Sequence, residues 1–188
     1  MRGELDNFPL LVTRDLDQAR MWLRAKRRGS ERSGLLASSN AVRLKPHGIF
    51  IKAKIEPAKW FLAPTEDVRS SDALEDAATE FDVQGLELDW TCLCWDANFR
   101  RDGDAWQTLQ FKGTKWQAVN DVARQAYVAN SYRVLLTRSR QGLIVFVPHG
   151  SDEDATRSSA MYDGIYAYLL ECGFDEARSG STLLGDSS

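Results

Sequence analysis

Three arginines lie close together in the segment Tyr132–Arg140, which reads YRVLLTRSR: Arg133, Arg138 and Arg140. A guanidinium group is planar and permanently charged, so it suits two-pronged contact with phosphate in a way that lysine cannot copy. Cations are also typical of a helix end, where they complement the helix dipole. The segment therefore indicates either a phosphate contact or a capped helix ending near Gly142.

Two carboxylates, Glu87 and Asp89, lie two positions apart in the segment Ala78–Trp90, which reads ATEFDVQGLELDW. Alternation of polar and apolar residues predicts a strand here, with both carboxylates and Thr91 on its polar face. The opposite face would carry the apolar residues Leu86, Leu88, Trp90 and Cys92. Glu87 and Asp89 are then either site residues or a solvent-facing strand side. No histidine or metal cluster accompanies them to support a paired-carboxylate hydrolase.

A phosphate-binding loop of the pattern G-x-x-x-x-G-K-S/T occurs nowhere in the 188 residues. Asp152–Glu153 and Asp175–Glu176 resemble a magnesium-binding acidic pair, but neither directly ends an apolar strand. Gly113–Lys115 holds phosphate-loop residues in the wrong order. The chain therefore lacks the cradle that holds the phosphates of ATP.

The two segments, in this order and at about this spacing, resemble the Q-G-x-E and L-T-R-A-R motifs of superfamily 1 helicases. From about Pro9 to Gly173 the chain is similar to the second RecA-like lobe of these P-loop NTPases. More narrowly, it resembles the bacterial Schlafen-like DNA/RNA helicase-domain group. The other segments that carry the resemblance are GLLASS at Gly34–Ser39, DVRSS at Asp67–Ser71, and VPHG to DATR at 147–157.

The resemblance implies roles for individual residues at an ATP site. Arg138 would reach the γ-phosphate. Arg140 would either orient Arg138 or pair with an acid. Gln84 would sense the phosphates or relay to a bound strand, and Gly85 would allow close backbone approach. Glu87 would accept a hydrogen bond from the ribose.

Nucleic acid is expected to cross a surface formed by Ser38, Ser39 and Thr79. A second set of residues also has the chemistry of a single-strand platform, because aromatic rings alternate with lysines there. Packing within a hairpin explains the same pattern. These residues are Trp106, Phe111, Lys112, Lys115 and Trp116.

ATP with Mg²⁺ is implied only together with a first lobe that carries the phosphate loop, in cis or in trans. The chain is then a fragment, a split subunit or a truncated reading frame, with negligible ATPase activity alone. Its partners would be single-stranded DNA or RNA and that first lobe. The alternative is a non-catalytic nucleic-acid-binding or regulatory module that keeps the fold.

Composition is that of one soluble globular domain, with 43% hydrophobic and 27% charged residues. The sequence shows neither a membrane-length apolar run nor a signal peptide, which predicts a cytoplasmic protein. The net charge of −3 hides a basic N-terminal part, since residues 1–54 hold 12 Lys and Arg against 5 Asp and Glu. Its densest run, Arg24–Arg28, suits either a phosphate backbone or a helix end. Cys92, Cys94 and Cys172 are expected to be buried reduced thiols.

Strands that alternate with helices predict an α/β fold with a mostly parallel sheet flanked by helices. We expect one lobe over residues 1–175 and a disordered tail over 176–188. The predicted strands are Phe8–Thr13, Leu35–Ser38, Leu86–Cys92 and Leu143–Val147. The predicted helices begin after Asp15, at about Asp72, at Trp116 and at about Ala155, and they end near Arg27, Ala78, Gly142 and Cys172.

Overall fold

The computed structural model describes residues 8–51 and 55–178 of the chain. Within them a six-stranded sheet has the order β3-β2-β4-β8-β1-β9, and every neighbouring pair is parallel. A second, three-stranded sheet is antiparallel, with the order β5-β6-β7. The strands are β1 (Leu10–Thr13), β2 (Ser33–Ala37), β3 (Ala77–Ala78), β4 (Leu88–Cys94), β5 (Phe99–Asp102), β6 (Ala105–Lys112), β7 (Lys115–Ala118), β8 (Ser139–Phe146) and β9 (Asp175–Glu176).

Helices cover both faces of the six-stranded sheet. They are α1 (Leu16–Lys26), α2 (Pro57–Leu62), α3 (Val122–Leu136) and α4 (Ala160–Glu171). One core holds the buried residues of α1, with Ile144 and Phe146 of β8. The other holds those of α2, α3 and α4, with Leu143 and Val145 of the same strand. The predicted α/β fold with a mostly parallel sheet is therefore confirmed.

Burial of β4 on both faces contradicts the polar face that its alternation predicts. All seven residues of the strand are buried, including Asp89 and Thr91. Leu88 and Trp90, predicted to share a face, pack into different cores. The prediction was wrong because a central parallel strand is covered by helices on both sides.

The antiparallel sheet is an insertion between β4 and α3 that the sequence does not reveal. Trp106 stacks on Trp95 and Phe99, with ring centroids 5.9 Å and 4.5 Å apart, and contributes to the core. Trp116 donates its indole N–H to the carbonyl of Thr156 at 2.8 Å. These rings pack within the protein, as the hairpin interpretation requires. Because β7 occupies residues 115–118, α3 starts at Val122 and the predicted start at Trp116 was wrong.

Two other predicted helices also begin or end in the wrong place. The helix expected over Asp72–Ala78 is only a 3₁₀ turn at Ser71–Ala73, which ends at Leu74 with φ 60°, and β3 follows it. The last helix begins at Ala160, after a 3₁₀ turn at Ala155–Arg157.

Asp15 caps α1 as predicted, since its carboxylate accepts the N–H groups of Asp17 and Gln18. Gln18, three residues after the cap, stands where a capping-box side chain would bond back to the N–H of Asp15, but its amide N–H donates to the carbonyl of Ala177 instead.

Cys92 and Cys94 are buried free thiols as predicted, whereas Cys172 at the end of α4 is exposed, so the prediction was wrong for this residue. In the described part of the chain, no helix is both long enough and apolar enough to cross a membrane. The predicted tail falls mostly on residues 179–188, which lie outside the described residues.

Candidate functional site

Arg138 lies at the junction between α3 and β8. The helix ends at Leu136, Thr137 follows as its C-cap, and the strand begins at Ser139. The Nε of Arg138 donates to the carbonyl of Val134 in its own helix at 3.1 Å. Its two terminal nitrogens form no ion pair or hydrogen bond with any described residue. The end of the Arg138 guanidinium is therefore available to a ligand.

Arg140 is held differently, by a β-bulge in β8. Leu88 of β4 pairs with Ser139 and Trp90 pairs with Gly142, so β8 contains one extra residue opposite Asp89. A bulge re-aims side chains. Arg140 and Gln141 both bond to the same oxygen of Asp89, at 3.0 and 3.1 Å.

Asp89 is therefore a buried organising group, because its second oxygen accepts the N–H of Arg32 at 2.8 Å. Arg140 pairs with an acid, which is one of its two expected roles. Arg133 is exposed and donates to Asn130 at 3.0 Å.

The segment Gln84–Glu87 lies directly beside Arg138. The N–H of Leu88 donates to the carbonyl of Arg138 at 2.9 Å, which joins the end of this segment to the arginine. Gln84, Gly85 and Glu87 are all exposed, and Gly85 has φ 74° with open space where a Cβ would stand. Glu87, Arg138 and Arg140 thus lie where β4 and β8 begin, and Gln84 and Gly85 lie on the turn that leads into β4.

The three residues expected at nucleic acid lie at the opposite edge of the sheet, where β2 and β3 end. Ser38 is fully buried and its hydroxyl accepts the N–H of Asn40 at 3.3 Å. Ser39 donates its N–H and its hydroxyl to Glu80, at 2.9 and 2.6 Å. Thr79 uses both its N–H and its hydroxyl on Asp82, at 2.8 and 2.7 Å. Ser39 and Thr79 are thus brought together, on adjacent strands, through their acidic neighbours.

The connection from Thr79 to Glu87 joins the edge where nucleic acid is expected to the edge where a nucleotide is expected. It crosses one face of the sheet from the end of β3 to the start of β4 without a regular helix. Val83 anchors it in the core, and its N–H bonds to the carbonyl of Thr79 at 3.1 Å. Thr79 at one edge and Gln84 at the other therefore belong to one short, anchored segment.

Two aromatic residues beside Thr79 were not singled out as functional from the sequence. Phe81 is 57% exposed and Tyr127 on α3 is 40% exposed. Their rings stack with centroids 6.1 Å apart and an interplanar angle of 24°. The hydroxyl of Tyr127 donates to Glu80 at 2.8 Å, and burial together with this carboxylate raises the pKa of Tyr127 to about 12. A phenylalanine within a polar turn was the available signal for Phe81.

An open apolar groove of about 570 Å³ lies between α2 and the Thr79–Glu87 connection. Phe61 and Leu62 form one wall, and Phe81 and Leu86 form the other. Gln84 lines the same groove. The exposed apolar surface therefore adjoins both the stacked rings and the residues expected at a nucleotide.

The arginines that follow α1 have partners within the protein. Arg27 and Arg32 both pair with one oxygen of Asp72, at 3.0 and 2.9 Å. Arg28 donates to the carbonyls of Ala25 and Arg27. Much of this positive charge therefore holds the helix end and the β2 entry in place.

A family model described as Schlafen group 3, DNA/RNA helicase domain, matches residues 2–149 of the chain. The match includes both candidate edges of the sheet and all of the arginine segment. No curated protein and no solved structure matches the chain.

Proposed function

Since the chain belongs to the Schlafen group 3 family of DNA/RNA helicase domains, we propose that it is the second RecA-like lobe of a nucleic-acid-dependent ATPase. Membership of a helicase-domain family gives the chain a helicase-related role on nucleic acid. Its part in that role is to supply an arginine and nucleotide contacts to an ATP site that a phosphate-loop lobe completes.

The observation that carries this proposal is the junction of Arg138 with the Gln84–Glu87 segment. An arginine with free terminal nitrogens stands next to an exposed Gln, Gly and Glu, at the same edge of two central strands. The transition state of phosphoryl transfer spreads negative charge over the γ-phosphoryl oxygens. A guanidinium group delivered across a cleft stabilises that charge.

These residues fit part of an ATP complex. Glu87 and Gln84 present polar groups to a sugar or phosphate, and open space above Gly85 permits close approach. Among the described residues, no group of three His, Cys, Asp or Glu side chains is placed to hold a metal ion. In the proposed complex, the phosphate-loop lobe holds Mg²⁺ and the β-phosphate. ATP supplies the transferable phosphoryl group when it is bound.

The test measures ATP hydrolysis by this chain, by a phosphate-loop lobe from the same family, and by their mixture, each with and without single-stranded DNA. We expect negligible activity from this chain alone and strand-stimulated activity from the mixture. Arg138→Ala should lower the activity of the mixture by roughly 10³-fold or more, the usual effect of losing such an arginine. Arg138→Lys should not restore it, because lysine lacks the planar fork.

Arg133→Ala is the matched control, since Arg133 lies five residues earlier, is exposed and bonds only to Asn130 among the described residues. It should leave the activity of the mixture close to that of the wild type. Equal loss in both variants would remove the assignment of Arg138. Strand binding without activity in any mixture would favour the non-catalytic binding module instead.

A further inference from the structure

Phe81 and Tyr127 form an exposed ring pair that no packing requirement explains. In the part of the chain that the structure describes, theirs is the one stacked pair in which both rings are exposed. The other stacked rings, among them Trp95 and Tyr132, lie in the core. Exposed aromatic surface has a hydration cost that a ligand can remove.

The pair is held in place before any ligand arrives. Tyr127 is fixed through its hydroxyl, which bonds to a Glu80 that also binds Ser39. Phe81 stands on the turn that Thr79, Asp82 and the buried Val83 anchor. A rigid aromatic surface loses little conformational entropy when it binds.

From this arrangement we infer that Phe81 and Tyr127 form a stacking platform for one or two bases of a single strand, an inference that rests on the proposed nucleic-acid role. Every base has a flat π-face, so stacking on aromatic rings tolerates any sequence but requires unpaired bases. The platform lies next to Ser39 and Thr79, at the edge of the sheet where a nucleic-acid strand is expected. The hydroxyls of Ser39 and Thr79 donate to Glu80 and Asp82, so the platform itself supplies the contact with bases at this edge.

Arg124 supplies the complementary charge. It lies three residues before Tyr127 on α3, and residues three apart share a face of a helix. Arg124 is exposed and forms no ion pair with a described residue. A phosphate next to a stacked base is within the reach of such a side chain. Both oxygens of Glu80 and one oxygen of Asp82 accept hydrogen bonds from Ser39, Tyr127 and Thr79.

The test is binding of a fluorescent 12-nucleotide single strand that carries 2-aminopurine, a base whose emission is quenched by stacking. Phe81→Leu keeps an apolar side chain but removes the ring. It should weaken binding roughly tenfold, in line with the loss of one stacked base. It should also abolish the quenching at saturating protein. Tyr127→Phe, which keeps the ring, should retain the quenching.

Two controls separate stacking from other effects. A strand of the same length with abasic central positions should bind wild type and Phe81→Leu equally. Arg124→Gln should keep the quenching but lower the magnitude of the slope of log affinity against log salt by about 0.7, as expected for one lost phosphate contact on a single strand. Phe81→Leu should leave that slope unchanged. The duplex of the same sequence should bind more weakly than the single strand.

Unchanged affinity and quenching in Phe81→Leu would overturn the platform while leaving the proposed function intact. An equal loss of affinity for the abasic strand would also overturn it, because the substitution would then act on something other than stacking. If Phe81→Leu instead weakened only the association with the first lobe, the rings would belong to a protein interface. Failure of the wild type to bind any strand would remove both the platform and the proposed nucleic-acid role.

Discussion

A single buried carboxylate, that of Asp72, ties the end of α1 to the start of β2. One oxygen accepts the N–H and hydroxyl of Ser33, at 2.8 and 3.0 Å, and the other receives Arg27 and Arg32. The acid side chain is 3% exposed. Removal of one partner from such a group leaves the other charges without compensation.

Asp72→Ala should therefore lower the free energy of unfolding by about 3 kcal/mol or more, as is typical when a buried ion pair is broken. The measurement is urea denaturation at pH 7. Asp67→Ala is the control, since the side chain of Asp67 is 23% exposed and its partner Arg69 lies at the surface, so this substitution should shift the midpoint far less. Similar shifts in the two variants would contradict the assigned role of Asp72.

At the residue level, the sequence motifs selected candidate site residues but left unassigned the residues that are defined by long-range contacts. Gln84 and Arg138 are separated by more than fifty positions, and the motifs selected both. Asp72 falls in a polar segment whose partners lie some forty residues away, so nothing local indicates its burial. Phe81 and Tyr127 become a pair only when α3 packs beside the end of β3.

The 3₁₀ turn Ala155–Arg157 depends on Asp154, which joins it to the segment after β2. Asp154 accepts hydrogen bonds from the hydroxyl and N–H of Thr156, and it pairs with Arg157 and Arg43 at 3.0 and 2.8 Å. The pKa of Asp154 is lowered to about 2, chiefly by the hydrogen bond from the hydroxyl of Thr156 and next by the hydrogen bond from Arg157. The folded state therefore holds this carboxylate in its ionised form more strongly than the unfolded chain does.

A lowered folded pKa gives a stabilising contribution that is fully present above the unfolded value of 3.8 and is lost as the pH falls towards about 2. Asp154→Asn should have a lower urea midpoint than the wild type at pH 7. The difference between the urea midpoints of the variant and the wild type should become smaller between pH 4 and pH 2. Asp104→Asn, at the exposed tip of the β5–β6 hairpin, should stay close to the wild type throughout. A gap that widens in acid would contradict the role of Asp154.

Elements were predictable where local patterns agreed with their surroundings. The N-cap of α1 and the apolar core of β8 are of this kind, because capping and continuous apolar character are local signals. The sequence predicted the strand β4 but wrongly predicted that one of its faces is exposed. Burial of that second face depends on helices that are distant in sequence. The strands of the insertion β5–β7 are partly exposed, and Trp116 of β7 falls into the helical spacing of α3.

The whole described molecule is organised around one sheet that both cores share. Strands β4 and β8 contribute residues to each core, so neither helix layer can separate from the sheet without exposing the strands that support the other. Strands that are shared between the two cores favour cooperative unfolding.

Urea unfolding followed by tryptophan fluorescence and by far-UV circular dichroism should therefore give coincident transitions. Tryptophans report on both layers, since Trp95 lies in one core and Trp90 in the other. Coincidence should persist in a Trp90→Phe variant, in which the fluorescence reports mainly on the α3/α4 side. A fluorescence transition that clearly precedes the loss of secondary structure would indicate that one layer unfolds independently.

In the part of the chain that the structure describes, the sheet ends on each side in a strand of only two residues, β3 and β9. Long, flat edge strands present rows of unpaired N–H and carbonyl groups, which recruit other chains into aggregates. Two-residue edges offer too little backbone for such templating. We therefore expect the domain to meet the proposed phosphate-loop lobe and a nucleic-acid strand through loops and side chains, without the hazard of uncontrolled growth by strand addition.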